Sequence, residues 1–286
     1  MSKPFATQQP EAVSLSADAV AEDVAPDVEE IGPPPPSRRN AIIRLVSVVG
    51  VLVFWEVFGR QIEPLFMSYP TAIGTSAFDM IRSGELPAAF LDSLGTLLLG
   101  FVIASVLGIA IGLLIGRYRT VEAATDWLVN ALYATPLVAI IPLVVLWFGL
   151  GFSAKLFIVV ILAIFPILIN TAAGVRNVPP PLLDVGFAFA ATERQLFTKF
   201  ILPAALPYMM TGLRLGVGRA IIGMVVAEFF TALTGLGALI VKYGNQYDTA
   251  AMFVPILTLM LLGVALTALM RRVESWIAPW KELQGD

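Results

Sequence analysis

The chain has 286 residues, of which 58% are hydrophobic and 14% charged, and its formal net charge is −3. Because an ordinary soluble domain is nearer half apolar and a quarter charged, this composition favours a protein embedded in lipid. The sequence has no Cys and no His, which excludes thiolate nucleophiles, disulfides and histidine bases and removes the usual ligands of zinc. We therefore predict no metal site, no cofactor and no nucleic-acid partner.

The N-terminal segment differs in composition from the rest of the chain. Residues 1–37 hold seven acidic side chains, one lysine and the proline run Pro33–Pro36. A segment of this kind buries too little surface to fold, so we predict a disordered, acidic and Pro-rich cytoplasmic tail over residues 1–40. It lacks the basic start and apolar stretch of a secretory signal peptide. A docking tail for a partner is the alternative interpretation.

Long uncharged segments fill the remainder of the chain. Since about 20 apolar residues cross a bilayer, a soluble bundle of buried helices is the poorer alternative. The longest stretches without Asp, Glu, Lys or Arg are residues 93–116, 127–154, 156–175 and 249–270. We predict an all-α integral membrane protein with about six crossings, near residues 41–59, 93–116, 128–149, 156–175, 208–231 and 252–270. The predicted transmembrane domain is 41–273, and residues 274–286 form a cytoplasmic tail.

Lysine and arginine are distributed unevenly between the two sides of this arrangement. With the N-terminus inside, the inner segments hold eleven of these residues and the outer segments only Arg60, Arg82, Lys155 and Lys242. Positively charged loops are retained in the cytoplasm. We therefore predict that both termini and the segment 176–207 are cytoplasmic.

Small residues recur at every fourth position of the second and fifth predicted crossings. Residues four apart share a helix face, so the backbones of two helices can approach closely there. The residues are Gly100, Ala104, Gly108, Gly112 and Gly116 in the second crossing and Gly212, Gly216 and Ala220 in the fifth. We expect both helices to lie inside the bundle.

The segment 176–207 is too long for a simple connection between two crossings. Its run Pro179–Pro181 can begin a helix, and Thr192 with Gln195 fits the capping box of a second one, which Pro203 closes. We predict a helix–turn–helix on the inner membrane surface, with a polar tip near residues 191–194 that could push on a soluble partner. An ordinary amphipathic interfacial helix is the alternative.

The spacing of this segment resembles a family signature. The inner-membrane permeases of binding-protein-dependent ABC importers carry Glu-Ala-Ala, three residues, Gly, nine residues, Ile, one residue and Leu-Pro. The corresponding positions here are Asp184-Val185-Gly186, Ala190, Phe200 and Leu202-Pro203. Flanking sequences resemble the nitrate/sulfonate/taurine branch, namely residues 141–151, 191–197, 202–207, 212–214, 227–228 and 235–237.

The resemblance implies a type I ABC importer permease-like fold, in which the cytoplasmic loop forms coupling helices that dock in a cleft of a separate ATPase subunit. It also implies an extracytoplasmic substrate-binding protein, a second copy of the chain, and a place in the lipid bilayer of the cell inner membrane. The implied ATPase contact comprises Asp184, Gly186, Ala190, Ala191, Thr192, Glu193, Arg194, Gln195, Phe197, Leu202 and Pro203.

Ala190 stands where the signature has Gly. A left-handed backbone is costly for alanine, so we expect a milder turn at this position or a contribution from Gly186. No Gly-Lys-Ser or Gly-Lys-Thr occurs in the sequence, and a phosphate-binding loop is therefore absent. We predict that the chain is not an enzyme and that ATP is hydrolysed by another subunit.

Among the polar residues of the predicted crossings we single out four: Arg214, Arg219 and Glu228 in the fifth crossing and Asn170 in the fourth. Such groups at membrane depth usually face a polar cavity or a partner, which makes them candidates for the solute pathway. Arg219 is the deepest and could bind an anionic group of a sulfonate, taurine or nitrate. The alternatives are a structural ion pair for Arg219 and a helix–helix hydrogen bond for Asn170.

Three other functions were weighed against the permease. A secondary transporter would show internal repeats with interruptions in corresponding halves, and we find none that convinces. An embedded enzyme would need a convergent acid, base or nucleophile. Only the family motifs argue against the third alternative, a membrane protein with a purely structural role.

Overall fold

The computed structural model describes residues 38–231 and 233–277, and all regular structure in that part of the chain is helical. The α-helices in chain order are α1 (Arg38–Gly59), α2 (Pro70–Arg82), α3 (Glu85–Arg117), α4 (Arg119–Ala134), α5 (Ile141–Phe148), α6 (Phe152–Arg176), α7 (Pro180–Ala188), α8 (Glu193–Leu196), α9 (Leu202–Thr231), α10 (Leu236–Asn245) and α11 (Thr249–Ile277). A 3₁₀ turn, Leu137–Ile140, precedes α5, and a π-helical turn, Phe197–Ile201, joins α8 to α9. The predicted tail over 1–37 and residues 278–286 lie outside the described residues.

Four helices are long and apolar enough to cross a membrane. They are α3, α6, α11 and the part of α1 from Asn40, with mean hydropathy from 2.2 to 2.8. Two bent pairs pass the same test together, α4 with α5 and the run from Glu193 to Thr231 with α10, which brings the number of candidate spans to as many as six. The predicted all-α membrane fold is confirmed.

The chain divides into two compact units, one ending at Val51 and the other beginning at Leu52. The described part of the first is the start of α1. In the second, the end of α1 is anchored by Trp55, whose indole N–H donates to the carbonyl of Ser68 at 2.9 Å and whose ring lies 5.7 Å from that of Phe253.

The centre of the second unit is formed by α3, α6 and α9, which pack against one another along their lengths. A Cβ added to Gly112 of α3 would lie 2.7 Å from the carbonyl oxygen of Leu168, and one added to Gly216 of α9 would lie 2.8 Å from Ile167 Cδ1. Both stripes of small residues therefore permit close approach to α6. The predicted close approach is confirmed, but α3 and α9 expose their opposite faces and the more deeply buried helix is α6.

The third predicted crossing, 128–149, is not one straight helix. Helix α4 ends at Ala134, Pro136 follows, and the chain turns by 82° before α5. Pro136 has no N–H to donate to the preceding turn, which accounts for the break. Helices α2 and α10 lie in segments for which the sequence predicts only connections between crossings. Helix α11 runs to Ile277, so residues 274–277 are helical.

Candidate functional site

The segment between α6 and α9 folds as two short helices joined by a tight turn. Helix α7 begins with prolines at its first positions, where a missing N–H removes no hydrogen bond. Helix α8 begins with a complete capping box: the Thr192 N–H donates to Gln195 Oε1 at 2.9 Å, and the Gln195 N–H donates to Thr192 Oγ1 at 3.4 Å. The predicted helix–turn–helix and its capping box are confirmed.

The turn between the two helices is left-handed at Ala190, where φ is +50°. The Ala191 N–H donates to Gly186 O at 3.0 Å and the Ala190 N–H donates to Phe187 O at 2.9 Å. These two bonds define a Schellman motif, whose left-handed position is usually a glycine. The expectation of a milder turn is wrong, because the two hydrogen bonds hold alanine in the costly conformation.

Gly186 contributes to the turn in two ways. Its carbonyl accepts the longer of the two motif bonds, and its Cα faces α8 so closely that an added Cβ would lie 2.6 Å from Leu196 Cδ1. Leu196 and Ile201 are buried with Val175 of α6 and Ala205 of α9. The loop is therefore packed rigidly onto the C-terminal end of α6 and the start of α9.

The tip of the loop carries both polar and aromatic side chains. Thr192, Glu193, Arg194 and Gln195 are exposed, as predicted, and so is Asp184. Phe189, which lies in the turn and which we did not single out, is 82% exposed, and Phe187 is also exposed. The two phenylalanines were visible in the sequence, but their orientation follows from the turn. Ala191 and Phe197 are half-buried, and Leu202 and Pro203 lie at the base of the loop, where α9 begins.

The structure does not bring the four pathway candidates together. Arg214 forms an ion pair with Glu274 of α11, which is the structural role that an intramembrane arginine can take. Asn170 donates to the carbonyl of Pro166 in its own helix at 2.8 Å, and not to another helix. Arg219 is exposed, and its guanidinium has no hydrogen bond or ion pair within residues 38–231 and 233–277.

Glu228 is fully buried and holds three helices together. Its Oε1 accepts from Ser93 Oγ of α3, and its Oε2 accepts from the Gly237 N–H of α10, both at 2.7 Å. Gly235 has φ +104°, and a Cβ there would lie 2.0 Å from Glu228 Oε1. In this conformation Glu228 anchors α9 to α3 and α10, and its place on the pathway stays a prediction.

A second polar cluster lies beside this anchor. The Lys155 Nζ donates to Asp92 Oδ2 and to both the carbonyl and the hydroxyl of Thr234, each at 2.8 Å. Its side chain is 3% exposed, so the ammonium charge is compensated almost entirely by these three contacts. The start of α6, the first turns of α3 and the turn before α10 are therefore joined at one end of the bundle. In the sequence, Lys155 is predicted only as one of the four basic residues of the outer segments.

Comparison with known proteins identifies the family to which this chain belongs. Residues 104–279 match the family described as the inner membrane component of binding-protein-dependent transport systems, a range that includes the whole helix–turn–helix loop. The chain belongs to this family.

Three relatives match this chain over most of its length. The chain is 34% identical to the formylaminopyrimidine transport permease protein ThiX of Halalkalibacterium halodurans, over 82% of this chain and 94% of the relative. It is 36% identical to a putative ABC transporter permease protein of Methanocaldococcus jannaschii, over 86% and 95%. It is 29% identical to the putative aliphatic sulfonates transport permease protein SsuC of Bacillus subtilis, over 93% and 98%. The resemblance to the nitrate/sulfonate branch of ABC permeases is confirmed.

Two solved structures share the fold of the permease. A chain of an amino acid ABC transporter with histidines aligns with a TM-score of 0.54 at 16% identity, over 71% of the permease and 97% of that chain. A chain of the MetNI methionine ABC transporter, in an inward-facing conformation, aligns with a TM-score of 0.51 at 23% identity, over 66% and 92%. The type I importer permease fold is confirmed.

Proposed function

We propose that this permease is the membrane subunit of an ATP-driven importer, and that two copies form the pathway for a small anionic solute. A separate ABC ATPase contacts the loop between α6 and α9, and an extracytoplasmic binding protein delivers the solute. The N-terminus is cytoplasmic in this arrangement, since the lysines and arginines concentrate on the side of the loop.

The observation that carries this proposal is the construction of the loop tip. Phe189 is 82% exposed at a turn that costs conformational energy, and the exposed polar residues Thr192–Gln195 follow within six positions of the chain. A large aromatic side chain with a polar rim is typical of the centre of a protein interface. A soluble ATPase with a complementary cleft would bury Phe189 and remove its contact with water.

The base of the loop supports coupling as well as docking. Leu196 and Ile201 lie in one buried cluster with Val175 and Ala205, and close-packed cores transmit displacement because they compress little. A movement of the tip would therefore move the inner ends of α6 and α9 together. This is what a permease needs in order to convert closure of an ATPase into a change of the membrane pathway.

The preference for an anion rests on Arg219. An arginine at the centre of a membrane helix costs about 3 kcal/mol in lipid, so the face that carries it needs a polar environment. Leu215, Gly218 and Ile222 are exposed on the same face of α9. We place this face on the pathway between two copies, where the guanidinium can bind a sulfonate or carboxylate group. The relative named for aliphatic sulfonates fits such a solute, whereas the name of the formylaminopyrimidine permease does not specify an anion.

Recruitment of an ATPase tests the proposal directly. The full chain is extracted from its native membrane in mild detergent, and co-purifying ATPase is compared between wild type and Phe189→Ala. Phe66→Ala is the matched control, because Phe66 is 75% exposed but lies between α1 and α2, far from the loop in sequence. We expect wild type and the control to retain the ATPase and Phe189→Ala to lose most of it. A well-folded wild-type chain that recruits no ATPase would overturn the proposal and favour a secondary transporter.

A further inference from the structure

A cavity of about 510 Å³ lies where α3 ends, and it is closed on one side by the helix–turn–helix loop. Its wall on the α3 side is apolar, with Ala110, Leu113 and Leu114. Ala110 and Leu114 are exposed on a helix that is long and apolar enough to span a bilayer. This wall therefore borders the hydrocarbon of the membrane.

The rim of the cavity carries two cations. Arg117, in the last turn of α3, and Arg194 of α8 both line the cavity, together with Phe197 of the loop. The guanidinium of Arg194 has no hydrogen bond or ion pair within the described ranges 38–231 and 233–277. Arginine is suited to phosphate because its planar group presents several N–H donors in a fixed geometry.

One acidic residue lies at the same rim. Glu193 Oε2 accepts from Arg117 Nη2 at 3.0 Å, but the Glu193 side chain is 88% exposed. An ion pair this exposed contributes little net free energy because solvent screens it, so another anion can replace the carboxylate at little cost. The rim carries two positive charges and one negative charge, which leaves an excess of one positive charge for a phosphodiester.

We propose that this cavity binds an anionic phospholipid, with its phosphate on Arg117 and Arg194 and an acyl chain along the apolar wall of α3. Basic pockets at the ends of membrane helices are known to favour such headgroups. The lipid would displace Glu193 from Arg117 and connect the loop to the end of α3 through its phosphate. The proposal requires that α3 spans the bilayer, and its test on the purified chain needs neither the ATPase nor the solute.

The test measures lipid retained by the full chain. Protein in a neutral detergent is mixed with equal amounts of dioleoylphosphatidylglycerol and dioleoylphosphatidylcholine, and bound lipid is counted by native mass spectrometry. We expect wild type to retain phosphatidylglycerol in preference, and Arg117→Gln to weaken that binding about tenfold, the effect of losing one charged hydrogen bond. Arg119→Gln is the matched control, because Arg119 is an exposed arginine two residues away that does not line the cavity.

A second variant keeps the test informative if Arg117→Gln folds poorly. Glu193→Gln changes an exposed side chain and removes the competing carboxylate, so it should strengthen phosphatidylglycerol binding severalfold. An excess of inorganic phosphate separates a lipid site from a site for free anions. The proposal is overturned if free phosphate displaces the lipid, if phosphatidylcholine binds equally well, if Arg119→Gln weakens binding as much as Arg117→Gln, or if Glu193→Gln has no effect.

Discussion

Ser93 and Glu228 are bonded side chain to side chain in the interior of the protein, although 135 residues separate them. Ser93 Oγ donates to Glu228 Oε1 at 2.7 Å and accepts from the Leu236 N–H at 2.8 Å. One hydroxyl therefore joins the long helices α3 and α9 to the first residue of α10. Because this hydroxyl lies in the middle of the chain of hydrogen bonds, we expect the free energy of unfolding to depend strongly on it.

Ser93→Ala should lower the free energy of unfolding by about 2–3 kcal/mol, because it leaves a buried carboxylate oxygen and a buried N–H each without a partner. Ser105→Ala is the control on the same helix, since Ser105 Oγ bonds only to Phe101 O one turn earlier, at 2.7 Å. We expect less than about 0.5 kcal/mol there. Unfolding by titration with a denaturing detergent measures both. Equal losses at the two serines would contradict a special role for the Glu228 anchor.

Two glycines of α3 should respond in opposite directions to the same substitution. Gly112→Ala places a methyl group 2.7 Å from Leu168 O, and should destabilise the protein by about 1–3 kcal/mol through displacement of α6. A Cβ on Gly95 meets none of the described residues within 4 Å. Gly95→Ala should therefore stabilise by up to about 1 kcal/mol through helix propensity. The thermal midpoints of both variants in detergent provide the measurement, and a shift of the same sign would refute the close approach at Gly112.

Ala190→Gly should stabilise the loop turn locally by about 1 kcal/mol, because glycine adopts a left-handed backbone without the steric cost that alanine bears. Amide hydrogen exchange at Ala191, whose N–H closes the turn, should slow about fivefold. Ala188→Gly, two residues earlier at the end of α7, should accelerate exchange, since glycine is unfavourable within a helix. Faster exchange in Ala190→Gly would show that the turn is not left-handed in solution.

Arg219→Gln should reduce uptake of a labelled aliphatic sulfonate at least about tenfold, because the variant loses a charge-assisted contact to the solute. Arg219→Lys should retain part of the activity, since it keeps the charge. Arg82→Gln, at the exposed end of α2, is the control and should transport normally. Uptake into proteoliposomes that contain the assembled transporter measures all three. Equal uptake by wild type and Arg219→Gln would contradict the proposed contact between Arg219 and the solute.

Local signals in the sequence were sufficient for the inner loop. Thr192 and Gln195 lie three residues apart, and the interaction that they predict is confined to one helical turn, so no distant residue could change it. The same holds for the small residues of α3 and α9, whose spacing places them on one helix face. These features were correctly predicted because each depends on neighbours in the chain.

The partners of the polar residues could not be inferred in this way. Glu228 and Arg214 both resemble pathway residues in sequence, but each is bonded to a residue on another helix, Ser93 and Glu274 respectively. At Ala190 the contribution of Gly186 is confirmed, whereas the milder turn is wrong for a different reason. We considered the steric cost of the left-handed backbone, and not the two hydrogen bonds of the motif that oppose it.

The helical run from Glu193 to Thr231 begins at the loop tip and ends beside the Glu228 anchor. At 1.5 Å per residue it is roughly 57 Å long, which exceeds the hydrocarbon core of a bilayer. Its close contacts with α6 extend along most of this length, from Tyr208 beside Gly174 through Gly216 to Gly223. The two helices are therefore packed together too closely to pivot on one another, and they move as one body. A displacement at the loop is then carried, without a hinge, to the opposite end of the bundle, where Glu228 joins α9 to α3 and α10.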